Sequence, residues 1–190
     1  MIANAEIVEE INEDDIFLRK IHPNDVSFLF ESLREQETIK YLSLGPLENM
    51  KTTQKLIRGY LYQWEKHKQF NYIIELRKDE EDVMKLGSLS LWNISWKHQR
   101  ADVGIWLNQK YRNKGYGEKA LNLLKIIAFI HLKLHRLQAY VASPNQKSIY
   151  LFQRCNFTKE ATIKDYLYFN KKFHDATIFR LLKSRYLKNI

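Results

Sequence analysis

Ala101-Asp-Val-Gly-Ile-Trp-Leu-Asn-Gln-Lys-Tyr-Arg-Asn-Lys-Gly-Tyr-Gly-Glu-Lys-Ala120 changes character twice within twenty residues. Residues 101–107 alternate with the period of a strand. Ala101, Val103, Ile105 and Leu107 share one face, and Asp102, Gly104 and Trp106 the other. Residues 108–117 form a basic turn holding two glycines, and residue 116 opens an apolar helix expected to reach 134. Strand, glycine turn and helix in that order suit a phosphate, because free N–H groups and the positive end of the helix dipole converge on it. Gly104, in mid-strand, marks a bulge or the close approach of a ligand.

Gly115-Tyr-Gly117-Glu-Lys-Ala120 also fits the dinucleotide pattern G-x-G-x-x-A. Its context argues against that reading. Residues 108–114 separate the turn from its strand, and the next strand ends Val141-Ala-Ser-Pro144, without the acid that would hold a ribose.

Outward from this stretch the pattern is mixed. A strand is expected at 16–21, then a helix from an Asn24 or Asp25 cap to about 35, with Val26, Leu29, Phe30 and Leu33 on one face. A loop containing Gly45-Pro46 spans 41–49, and a second helix follows at 53–66. Strands are expected at 70–76, 85–92, 100–107 and 136–141, with a hairpin turn at 77–82. Ser143 is read as an N-cap with Pro144 at the first helical position, and Asn156 as the left-handed residue that closes that helix. Strands at 158–168 and 173–182, joined by Asn170-Lys-Lys172, end the pattern. The expected fold is α/β (α+β) in one domain: a mixed, mostly antiparallel sheet of about seven strands, with a central β-α-β unit and helices on both faces.

With 190 residues, 45% of them apolar, the chain can bury one substantial core. Residues 1–15 carry six acids and no base, so residues 16–190 hold +15 against +9 for the whole chain. We therefore divide it into an acidic tail (1–15), a domain (16–183) and a C-terminal tail (184–190). The basic body suits an anionic partner such as a nucleotide cofactor, or a nucleic-acid or ribosome surface; solvated lysine faces explain the same charge without a partner. A single cysteine, Cys155, precludes an intramolecular disulfide and fits a reducing, cytoplasmic setting. The N-terminus lacks the pattern of a signal peptide, and Lys125, His131 and Lys133 interrupt the longest apolar run, which argues against a membrane span. His131 and His135 have metal-binding spacing but no acid between them, so no metal site is assigned.

The residues around the turn resemble the GNAT superfamily of acetyl-CoA-dependent N-acetyltransferases. Arg112-Asn-Lys-Gly115-Tyr-Gly117 resembles its [Q/R]-x-x-G-x-[G/A] pyrophosphate loop. Leu86-Gly-Ser-Leu89, Ala101–Leu107 and Asn145-x-x-Ser148 with Asn156-Phe157 are similar to motifs of the branch containing ribosomal-protein N-terminal (alanine/serine) acetyltransferases. They fall in the order and spacing of that branch and cover residues 16–183.

The resemblance implies that acetyl-CoA is the co-substrate. Amides of Arg112, Asn113, Lys114, Gly115, Tyr116 and Gly117 would hold its pyrophosphate, with Lys110 and Lys119 adding charge. Backbone groups of Ile105, Trp106 and Leu107, with Asn145, would grip the pantetheine arm in the fork between 101–107 and 136–141. It also implies that Asp102 occupies the position of a general base and Ser148 that of an alternative acid. Many members carry a tyrosine acid where this chain has Phe152. The acceptor would enter over the 39–50 loop and second helix. A protein N-terminal amine is the acceptor expected by resemblance, with polyamines and aminoglycosides as alternatives. A non-catalytic acyl-CoA sensor or a basic RNA or ribosome binder is the rival from another class. No RNA-binding signature accompanies the aromatic residues. The C-terminal strands are candidates for pairing in a homodimer.

Overall fold

The computed structural model describes residues 4–42, 44, 46–79 and 81–188. Gly45, expected in the 41–49 loop, lies outside them. The first strand, β1 (Glu10–Glu13), belongs to the leader and pairs antiparallel with β2 (Ile16–Lys20) across a turn in which Asp14 takes φ 50°. The leader from residue 6 is therefore not a tail. It folds onto the basic body, through Glu9 on Lys20 (2.7 Å), Glu10 on Arg77 (2.6 Å), and Asp14 and Asp15 on Lys119 (3.2 and 3.4 Å). One 3₁₀ turn then leads into α1 (Val26–Ser32), followed by the short α2 (Gln36–Ile39) and the long α3 (Met50–Glu65). Asp25, one of the two expected caps, is the N-cap residue of α1, but its side chain makes no capping hydrogen bond there. His22 caps the 3₁₀ turn, and Asp25 is drawn inward to Arg19 and Lys85. Helix α3 begins earlier than expected, because the Asn49 side chain accepts the N–H of Thr52.

Next come β3 (Phe70–Arg77), β4 (Val83–Ser95) and β5 (Arg100–Leu107), antiparallel in sequence order. The chain then rises through α4 (Tyr116–Ile126), which ends sooner than its apolar pattern suggests and continues as a π turn over Ile127–His131. Strand β6 (Arg136–Ala142) returns parallel to β5. The helix α5 (Gln146–Arg154) precedes a long hairpin, β7 (Thr158–Phe169) and β8 (Lys172–Leu182). Asn170 and Lys171, both at positive φ, make its two-residue turn. A last short helix, α6 (Lys183–Leu187), occupies most of the expected C-terminal tail and buries Tyr186 against Phe129.

Among the described residues the eight strands run β1-β2-β3-β4-β5-β6-β8-β7, and only β5–β6 is parallel. One apolar cluster lies under α4 and α5, with Leu121, Leu124, Phe129, Phe152 and Phe179 among its members. A second joins α1 and α3 to the sheet through Leu29, Leu33, Ile57 and Ile73. The parallel pair consists of three residue couples, Arg100↔Arg136, Ala101↔Leu137 and Asp102↔Gln138, although both strands continue. Beyond Asp102 the two strands part and leave a fork in the sheet. No helix among the described residues is long and apolar enough to cross a membrane.

Candidate functional site

Gly115 takes φ +82°, open to glycine at little cost, and its left-handed backbone turns the chain into α4. Its carbonyl accepts the N–H groups of Glu118 and Lys119, the first rungs of the helix. The amides of residues 113–117 thus stay outside the ladder, at the positive end of α4. Gly117 is held for space: a Cβ there would sit 3.3 Å from Leu151 and 3.5 Å from Leu107. Loop, fork and α5 enclose a cavity of about 690 Å³, lined by Ile105, Trp106 and Leu107 on β5, Arg112, Asn113, Gly115 and Gly117 on the loop, and Asn145 and Ser148 on α5.

Arg112 does more than add charge. It donates to the carbonyls of Leu107 (2.9 Å) and Glu37 (3.0 Å), tying the loop to the strand end and to α2, and burial lowers its pKa. Among the expected cofactor residues, Lys114 and Tyr116 do not line the cavity, and Tyr116 packs on the core instead. Lys119 is also diverted, onto Asp14 and Asp15. The cations at the cavity are Lys40, Arg112, Lys147 and Arg154. Lys147 and Arg154 had no sequence signal, because they lie outside the glycine loop and meet it only through folding. Lys40, Tyr41 and Leu42, expected near the acceptor, wall this cavity as well. The Tyr41 hydroxyl donates to the Pro144 carbonyl (3.5 Å), and its ring packs edge-on against Phe169.

At the start of α5 the expected cap is displaced. Asn145, not Ser143, is the N-cap, and its side-chain oxygen accepts the Ser148 N–H (3.2 Å). Ser143 pairs with Thr177 instead (3.2 Å). Asn156 takes φ 68° after the helix, as its position suggested.

The fit to a phosphorylated, thioester-bearing co-substrate is therefore physical. A deep cavity has free amides and cations at one end and an unpaired strand edge along its wall. The Acetyltransferase (GNAT) domain model matches residues 15–158. The chain belongs to the GNAT acetyltransferases. It is an acetyl-CoA-dependent N-acetyltransferase. Spermidine N(1)-acetyltransferase of Vibrio cholerae is 25% identical over 172 residues, covering 90% of this chain and 94% of that protein. YdaF of Bacillus subtilis, provisionally named a ribosomal N-acetyltransferase, is 28% identical over 180 residues, covering 92% and 94%. The ribosomal L7/L12 α-N-protein acetyltransferase RimL, in complex with coenzyme A, superposes with a TM-score of 0.84 at 20% identity, over 93% of this chain and 99% of that one.

The GNAT fork places the expected chemical groups on different walls. Asp102, 2% exposed, sits at the closed end of the fork and does not line the cofactor cavity. Its carboxylate accepts from Gln138 Nε2 (2.7 Å) and Asn93 Nδ2 (3.1 Å). Among the described residues no salt bridge reaches Asp102; amides hold it instead. Ser148 does line the cavity. Phe152, at the position where many members carry a tyrosine acid, points into the core, with its ring 5.1 Å from Phe157 and 6.0 Å from Phe179. Tyr150 is 61% exposed at the cavity rim beside Arg154.

Gly104 introduces no register shift; the irregularity between these strands lies at Trp92/Ser95 on β4. What approaches Gly104 is the Ser90 hydroxyl, 3.1 Å from where a Cβ would stand. Cys155 is buried, which pushes its thiol up to about 11 and suits a packing residue rather than a nucleophile. Among the described residues no group of three or more His, Cys, Asp or Glu could hold a metal ion.

Proposed function

We propose that this transferase acetylates the N-terminal amine of a protein, of the ribosomal-protein type, by direct attack on acetyl-CoA. The supporting observation is the sheet face at the fork. There Trp92, Asp102, Gly104 and Trp106 share one side of β4 and β5, and Asp102 is the carboxylate among them. One carboxylate flanked by aromatic rings suits a single ammonium group with a chain behind it. A polyamine carries several ammonium groups and needs several acids, and a net charge of +9 disfavours its approach.

In this reading the amine nitrogen bonds to the thioester carbonyl carbon, the C–S bond breaks, and one proton leaves the nitrogen while one reaches the thiolate. Asp102, directly or through water, takes the first proton. Ser148, on the cavity wall, passes on the second. Asn113, Gly115 and Gly117, with Arg112, Lys114 and Tyr116 in the same loop, hold the pyrophosphate. Ile105, Trp106, Leu107 and the free amide nitrogen of Asn145 grip the arm. The reading also includes a cytoplasmic setting, and the outer strand β7 as the edge on which a second copy would add.

The test is thiol release from acetyl-CoA across alanyl and seryl N-terminal peptides, spermidine and aminoglycosides. Turnover is expected with the peptides. A preference for spermidine or an aminoglycoside would overturn the acceptor. Acetyl-CoA binding without turnover on any amine would favour a sensor. RNA affinity falling steeply with salt, again without turnover, would favour a nucleic-acid binder.

A further inference from the structure

Gln138 makes three hydrogen bonds at the closed end of the fork. Its Oε1 accepts from Arg136 Nε (3.0 Å), and that contact fixes which end of the amide is which. The Nε2 group therefore faces the other way, and both of its hydrogens are spent: one on Asp102 Oδ1 (2.7 Å) and one on the Tyr140 phenol oxygen (3.1 Å). One buried amide thus sets the position of a carboxylate on β5 and a phenol on β6. Tyr140 lies two residues past the last β5–β6 couple, where the strands have parted, and Gly104 is the corresponding residue on β5. No side chain projects from Gly104 to fill the gap.

The Tyr140 ring is held independently, stacked on Tyr166 of β7 at 5.2 Å between centroids and 21° between planes. The phenol is half-buried rather than sealed. Burial, and then the Asp102 charge, raise its pKa, so it stays protonated at neutral pH. Its oxygen keeps one lone pair after accepting from Gln138.

We propose that Tyr140 is a further acceptor-binding residue. Its phenol oxygen, held by the amide that also holds Asp102, takes an N–H of the incoming primary amine and turns the nitrogen lone pair towards the thioester carbonyl. Gln138 is the positioning residue for both groups. This inference rests on the acetyltransferase reading of the fork. It adds a binding contact to that reaction and leaves the bonds made and broken, and the two proton transfers, as stated above.

The test is a pair of variants assayed with an N-terminal seryl peptide and acetyl-CoA. Tyr140→Phe keeps the stack on Tyr166 and removes only the hydroxyl. It should raise the KM for the peptide about tenfold, the scale of one hydrogen bond, while the KM for acetyl-CoA and the Tm stay unchanged. Gln138→Met should raise the peptide KM in the same direction. Combined with Tyr140→Phe it should add less than its own single effect, because the phenol it positions is already gone. An unchanged peptide KM in Tyr140→Phe would overturn the proposal, as would an equal rise in both KM values. A wild-type protein that binds acetyl-CoA and turns over no amine is a different failure: it would remove the transferase reading first, and this inference with it.

Discussion

Phe152 shows how a single position redirects the chemistry. Its ring lies between Phe157 and Phe179 in the core under α5, so the position that would carry a phenol acid is committed to packing. Two hydroxyls of α5 line the cavity, Ser148 on its wall and Tyr150 at its exposed rim, and Ser148 is the one assigned to the thiolate in the proposed reaction. Serine is a weak acid and works by relay, so its loss removes the relay without removing a binding contact. Ser148→Ala should lower kcat about a hundredfold, the low end of general-acid effects, with the acetyl-CoA dissociation constant unchanged. An unchanged kcat would eliminate Ser148 as the acid. Asp102 carries the opposite demand. It must be ionised to accept a proton, and Gln138 and Asn93 both donate to the ionised form. Asp102→Asn is isosteric and cannot titrate, so the acidic limb of the kcat/KM profile should flatten. A limb identical to that of the wild type would assign the base to another group.

The elements were legible in the sequence wherever one face of a periodic segment is buried. Strand β5 is the clearest case: Ala101, Val103, Ile105 and Leu107 join the core under α4, as their alternation predicts. Strand β1 was not legible, because Glu10–Glu13 buries almost nothing. Its place comes from ladder bonds to β2 and from ion pairs to residues as distant as Arg77 and Lys119. The glycine loop could be read because its conformational demands are local. The Asp102–Gln138–Tyr140 cluster could not, since it joins side chains across a fork that exists only after β5 and β6 have paired and parted. The start of α5 failed for a related reason. Ser143-Pro144 is a good local start signal, but Ser143 is taken by Thr177 of β8, which moves the cap to Asn145. Asn145→Ala should therefore cost about 1 kcal/mol of unfolding free energy and also weaken acetyl-CoA binding, measured by denaturation and by calorimetric titration. A loss of stability with unchanged cofactor affinity would restrict Asn145 to capping.

Across the whole molecule, the first half of the sheet is fastened by one chain of charges. Asp25, fully buried, accepts two hydrogen bonds from Arg19 (2.7 and 2.8 Å), one from Lys85 (2.7 Å) and the His22 N–H (2.8 Å). Arg19 continues to Glu75 (2.7 Å), Glu75 to Arg77 (2.9 Å), and Arg77 to Glu10 of the leader (2.6 Å). Four strands and the 3₁₀ turn are thereby joined. Burial by itself pushes the Asp25 carboxyl up. The hydrogen bonds from Arg19 and Lys85 outweigh it and hold the group below its usual 3.8. A carboxyl lowered in the native state binds fewer protons there than in the unfolded chain. Its contribution is therefore full above the unfolded value, and drains away as pH falls below 3.8 and through the lower native one. Asp25→Asn leaves Arg19 and Lys85 without their shared counter-charge. It should cost about 3 kcal/mol at pH 7, the low end for breaking a buried pair, because both cations keep some water. The same variant should lose less stability than the wild type between neutral pH and about pH 2, because the group that drains is gone. Urea unfolding across that range measures both effects. If the variant is destabilised at pH 7 but keeps the acid slope of the wild type, the network is a packing feature and some other carboxylate governs acid unfolding.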